Sequence, residues 1–80
     1  MKKINDWYGT TYKMSTEEAI DLLDNGRSLT ADGKDLDTFR KVGDMYELIG
    51  IHDRGPTILS REDLIAEKRF EGRKWSIDLM

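Results

Sequence analysis

Apolar positions along this chain follow two periods, and the period changes where the elements change. The densest apolar run is residues 45–51, MYELIGI. Met45, Ile49 and Ile51 fall on one face of an extended chain, with Glu47 between them; Tyr46 and Leu48 fall on the other. A strand apolar on both faces is usually central, or covered by a partner subunit. Gly50 marks a bulge or a close approach of another backbone. Residues 52–56 form a turn, and Thr57-Ile58-Leu59 returns as a strand with Pro56 tolerated at its start. The segment reads as a β-hairpin onto which the other elements pack.

Two short helices flank it. Ser15-Thr16-Glu17-Glu18 is a capping box, with Ser15 accepting from the N–H of Glu18 and Glu18 reaching back. Ala19, Leu22 and Leu23 follow on a helical period. Asn25-Gly26 closes the helix, predicted over residues 16–25. Ser60-Arg61-Glu62-Asp63 is a second cap, with Asp63 where Glu or Gln is usual. Leu64, Ile65 and Ala66 give the second helix its apolar stripe, too short to hold without tertiary contacts. Phe70 anchors its exit.

The remaining elements are strands. Trp7, Tyr8 and Tyr12 around Gly9-Thr10-Thr11 favour an N-terminal strand with a bend or bulge at the Gly. Residues 27–30 are a brief strand. Ala31-Asp32-Gly33-Lys34 is a tight Asp-Gly turn. Residues 35–42 alternate imperfectly, with Leu36 and Val42 on one parity and Phe39 on the other. Gly43-Asp44 turns the chain again. Trp75, Ile77 and Leu79 alternate with Ser76 and Asp78 as a half-buried last strand. The order β, α, four strands, α, β predicts one α+β domain over residues 1–80. Its sheet is largely antiparallel and strongly twisted, with about five or six strands, and closes to a partial barrel if its ends meet.

Composition narrows the function classes. The chain has 80 residues, no cysteine and one histidine. A chain of this length buries only about 60% of its unfolded surface, so its core is small. Without Cys there is no disulfide and no thiolate metal site, and one His builds no His cluster. Stability then rests on the core itself or on oligomerisation. Lack of Cys fits a reducing cytoplasm. No segment approaches the roughly 18 apolar residues of a membrane span. Met1-Lys2-Lys3-Ile4-Asn5-Asp6 has no apolar run after its basic start, so it is no signal peptide. The formal net charge is −3, and residues 17–37 are dominated by acids. Such a patch disfavours general nucleic-acid binding, which needs phosphate neutralisation.

Candidate chemistry is sparse. His52, Asp53 and Ser60 are near in sequence, but a triad needs an orienting geometry that such a cluster does not specify. The turn offers His52 as a pH-sensitive or ligand-contacting group, and Arg54 with backbone N–H groups to an anion. Asp32 and Asp35 lack the twelve-residue calcium-loop pattern. Neither a Walker loop nor a Gly-x-Gly-x-x-Gly is present. No catalytic residue, metal or cofactor is therefore assigned. Lys68, Arg69, Arg73 and Lys74 lie beside Phe70 and Trp75, the interleaving of cations and rings that single-stranded nucleic acids or nucleotides require. Glu67 and Glu71 dilute it. Glu17, Glu18, Asp21 and Asp24 line one helix face as an acidic partner surface.

Two stretches are similar to a known family. Glu17-Glu18-Ala19-Ile20-x-Leu22-Leu23-x-x-Gly26-Arg27 resembles the opening of the small phage-encoded Thoeris anti-defence (nucleotide-sponge) proteins. Asp63-Leu64-Ile65-Ala66, followed by Trp75-Ser76-Ile77-Asp78, resembles their close. Leu29-Thr30 stands where that family has a Trp, the spacing from Ala66 to Trp75 is longer, and the Trp7-Tyr8 segment is extra. The resemblance thus implies no ligand residue and no sponge activity here. It implies an α+β phage or prophage accessory protein that forms oligomers.

Three functions follow as expectations. The first is a non-enzymatic accessory protein in the host cytoplasm that binds and modulates a host protein through its acidic 17–37 region or an exposed sheet edge, as a homo-oligomer or alone. The second is a nucleotide or nucleic-acid binder using Phe70, Trp75 and the basic cluster. The third, a small hydrolase, lacks a nucleophile–base pair.

Overall fold

The computed structural model describes residues 1–6, 9–32, 36–50 and 55–78. Trp7, Tyr8, the Gly33-Lys34 turn, Asp35, Ile51, His52, Asp53, Arg54 and Leu79 lie outside the described residues, so the readings placed on them have no structural counterpart.

Nine elements follow in order: β1 (Lys2–Asp6), β2 (Gly9–Lys13), α1 (Thr16–Asp24), β3 (Leu29–Ala31), β4 (Thr38–Val42), β5 (Met45–Ile49), β6 (Thr57–Leu59), α2 (Arg61–Glu67) and β7 (Trp75–Ile77). The strands form one antiparallel sheet in the order β1-β2-β7-β3-β4-β5-β6. The expected α+β architecture with two short helices holds. There is one strand more than the pattern gives, because the N-terminal stretch folds into the paired strands β1 and β2 instead of one bent strand. The sheet is open, with β1 and β6 at its edges.

Both helix starts carry the predicted capping boxes. Ser15 Oγ accepts from Glu18 N–H, and Glu18 Oε1 accepts from Ser15 N–H. Ser60 and Asp63 do the same for α2, so the shorter Asp serves where Glu is usual. Seven residues cannot sustain a helix in water. Ser60→Ala is therefore expected to cost about 1 kcal/mol, read as a lowered urea midpoint with unchanged m. Gly26 follows the α1 cap at φ 83, the left-handed region where glycine is unstrained.

The helices cover one face of the sheet. α1 packs against α2 and β4. The core holds Ala19, Ile20 and Leu23 from α1, Leu64 from α2, Leu29 and Ala31 from β3, Phe39 from β4, Tyr46 and Leu48 from β5, Leu59 from β6, and Phe70 and Trp75. Three rings meet at its centre. Phe39 and Phe70 centroids are 4.8 Å apart, Phe70 and Trp75 5.1 Å, Phe39 and Trp75 5.7 Å in an edge arrangement. Ala31 lies directly opposite Trp75 in the sheet register, so a small side chain leaves the indole its space. The indole Nε1–H donates to the Phe70 carbonyl at 3.0 Å.

Candidate functional site

A two-residue turn sets the geometry of the other sheet face. Gly43 has φ 61 and Asp44 does not share a positive φ. A positive φ at the first central position alone is the primed hairpin turn that matches strand twist. It fixes the β4–β5 register: Val42 opposite Met45, Lys41 opposite Tyr46, Arg40 opposite Glu47, Phe39 opposite Leu48, Thr38 opposite Ile49. Since Phe39, Tyr46 and Leu48 point into the core, Thr38, Arg40, Val42, Met45, Glu47 and Ile49 share the face without helices. Ile58 joins them opposite Glu47. Ser28, Thr30 and Ser76 extend the face along β3 and β7 by the same alternation.

This open face is apolar at one end and polar in the middle. Val42, Met45, Ile49 and Ile58 are 45, 38, 41 and 51% exposed. Between them Arg40 Nε donates to Glu47 Oε1 at 2.8 Å. Glu47 is only 8% exposed, although no helix covers it. Its neighbours Arg40 and Ile58, in the adjacent strands, shield it. Further across, the Thr30 and Thr38 hydroxyl oxygens are 3.2 Å apart. Ser28, Thr38, Arg40 and Ile49 line a cavity of about 190 Å³.

The basic cluster is arranged differently from the stacking site its sequence suggests. Trp75 and Phe70 are wholly buried, so neither offers a face to a base. The alternation that makes residues 75–77 a strand points Trp75 inward. Arg73 lies over the indole with its guanidinium carbon 5.3 Å from the ring centroid, and its Nη1 donates to Asp37 at 3.2 Å. Lys74 pairs with Asp32 at 3.3 Å, and Arg69 pairs with Glu67. Lys68 caps α2 in the left-handed conformation, φ 50, and is exposed. Three of the four cations thus have a carboxylate partner. The structure does not gather them around an aromatic platform. His52 and Arg54 lie outside the described residues.

Comparison with family models, curated proteins and solved structures finds no match.

The acidic helix residues divide into two kinds. Glu17 and Asp21 are exposed. Glu18 is held by its own capping box and by the N-terminal amine; that ammonium first, then the Ser15 N–H, lowers its pKa. Asp24 is a hub. Tyr46 Oη donates to its Oδ1 at 2.6 Å, Arg61 Nη1 to its Oδ2 at 3.1 Å, and Lys41 Nζ lies 3.3 Å away. These donors offset the unfavourable place of an acid at a helix C-terminus. They hold the Asp24 carboxyl below its ordinary range, the Tyr46 hydroxyl contributing most. Asp24 ties α1 to β4, β5 and α2, so it belongs to the scaffold more than to a partner face.

No helix among the described residues is long and apolar enough to cross a membrane. No group of three or more His, Cys, Asp or Glu gathers as a metal site among them. The Arg40–Glu47 pair escaped the sequence reading, which took Glu47 as an interruption. Its signal was present: counting outward from a two-residue Gly43-Asp44 turn puts Arg40 opposite Glu47.

Proposed function

We propose that this chain is a non-enzymatic binding protein that contacts another protein through the open face of its sheet. It acts in the host cytoplasm as a phage-type accessory factor, the class the sequence resemblance implies, and modulates a host protein. The observation that carries this reading is the row of exposed aliphatic residues Val42, Met45, Ile49 and Ile58 around an Arg40–Glu47 pair whose carboxylate is shielded. Single exposed apolar residues are ordinary, whereas several on one face mark an interaction surface. Apolar side chains with few net charges between them are the make-up of an interface centre.

The test is affinity capture from host lysate with wild type, Ile49→Asp and Ile58→Asp side by side. Both residues are exposed, so both variants are expected to fold and to lose the protein that wild type retains. Equal capture by all three would overturn the reading. Phe70 and Trp75, the rings that the nucleic-acid alternative relies on, are buried. Titration with a labelled single-stranded oligonucleotide is expected to be flat at 50 mM and at 200 mM salt. A phosphate-driven complex would weaken steeply between those concentrations.

A further inference from the structure

We infer that a second copy of this chain occupies the open face, related by a two-fold axis that runs along the strands between β4 and β5. The inference rests on the reading of that face as a protein-binding surface, for which a second copy and the host protein compete.

The face is self-complementary about this axis. An axis between β4 and β5 lays β4 of one copy over β5 of the other, and β3 over β6. Arg40 and Glu47 are neighbours across that line. Each copy's Arg40 then lies over the other's Glu47, so opposite rather than like charges are superposed. Val42 comes over Met45, apolar on apolar. Ile58, 51% exposed on β6, comes over Ser28, the residue just before β3. There the cavity of about 190 Å³ lies, lined by Ser28, Thr38, Arg40 and Ile49. A cavity of roughly 150 Å³ admits a benzene molecule, so this one has room for an isoleucine side chain. The symmetry seats both isoleucines at once, as an isologous contact requires.

Two features favour the face over the edges. β6 has three residues and is preceded by Pro56, and β1 opens on Lys2 and Lys3. Short length, Pro and Lys are the devices that blunt an edge strand against pairing. The opposed lysines Lys2 and Lys13 lie on β1 and β2. They belong to the half of the sheet that this axis leaves uncovered, so no like charges are brought together there.

The area sets the strength. Four strands at about 4.8 Å spacing and five residues at about 3.3 Å make a patch of about 19 by 17 Å. Two such patches bury roughly 650 Å² of sheet, less than the roughly 1,200 Å² of stable complexes. A patch of this size belongs with weak, transient contacts, so the dimer is expected to form only at high protein concentration.

Sedimentation velocity from about 10 to 500 µM tests it. A shift from monomer to dimer mass over that range is expected, with Ile58→Asp raising the dissociation constant at least tenfold. The chain has no cysteine, so a second measurement is clean. Ser28→Cys and Ile58→Cys proteins mixed under mild oxidation are expected to give the mixed disulfide in preference to either homodimer. Monomer throughout, or a dimer that Ile58→Asp leaves intact with no preference for the mixed disulfide, would overturn the inference. Monomeric protein whose open-face variants still lose the lysate partner would overturn this inference alone and leave the proposed function standing.

Discussion

Trp75→Ala is expected to remove most of the stability of this domain. Deleting a fully buried Trp costs about 3–5 kcal/mol. An 80-residue domain has only about 4–12 kcal/mol in total. The site cannot collapse easily, because the indole contacts both phenyl rings and lies opposite Ala31 in the register. β7 is also the strand that joins β2 to β3, so a void there loosens the middle of the sheet. The measurement is urea denaturation followed by far-ultraviolet circular dichroism. Trp75→Phe keeps an aromatic ring but loses the 3.0 Å bond to the Phe70 carbonyl. It is expected to fall between wild type and Trp75→Ala. A Trp75→Ala protein with a wild-type midpoint would show that the rings do not pack as described.

Tyr46→Phe is expected to cost about 1.5–3 kcal/mol, the range for a hydrogen bond to a charged group. The lower end applies, because the Asp24 carboxylate keeps some solvent and its contacts to Arg61 and Lys41. The pair also shapes the pH dependence. The Asp24 carboxyl is held below its ordinary range, chiefly by the Tyr46 hydroxyl. Unfolded, it returns to about 4. Its contribution is therefore complete above about pH 4 and lost as pH falls through the folded value. The Tyr46 hydroxyl is raised, first by burial and then by Asp24. Its contribution is complete below the ordinary phenol value of about 10 and lost as pH rises through the folded value. Stability measured from pH 2 to 11 should show both limbs. Tyr46→Phe should remove the alkaline limb assigned to this group and soften the acid one. The acid limb does not vanish, because Asp78 is also lowered, by the Ser28 N–H and then by Arg27.

Local chemistry was legible wherever neighbours in sequence decide it. The capping boxes at Ser15 and Ser60 need only residues three apart, and both form as read. The Gly43-Asp44 turn and the two-faced pattern of residues 45–49 were readable for the same reason. The expectation that this strand is central held in part, since β5 lies between β4 and β6 with one face in the core and one in solvent. The candidate site was less legible. A basic run beside Phe70 and Trp75 has the composition of a stacking site, but composition does not say which way a ring points. The inward turn of Trp75 follows from its place in β7, and the pairing of Arg73 with Asp37 spans 36 residues.

Local pattern was enough for the two helices with their caps, for most of the strands and for the class: α+β, antiparallel, no disulfide. These depend on period, turn residues and composition, all local. The tertiary structure alone decided that the last strand inserts between β2 and β3, that both helices cover one face, and that Asp24 ties α1 to three other elements. It also decided that the face carrying Met45, Glu47 and Ile49 is the exposed one, with Ile58 beside it. Such choices are made by long-range pairing and by which face the helices bury, and neither is encoded in the spacing of residues along one strand.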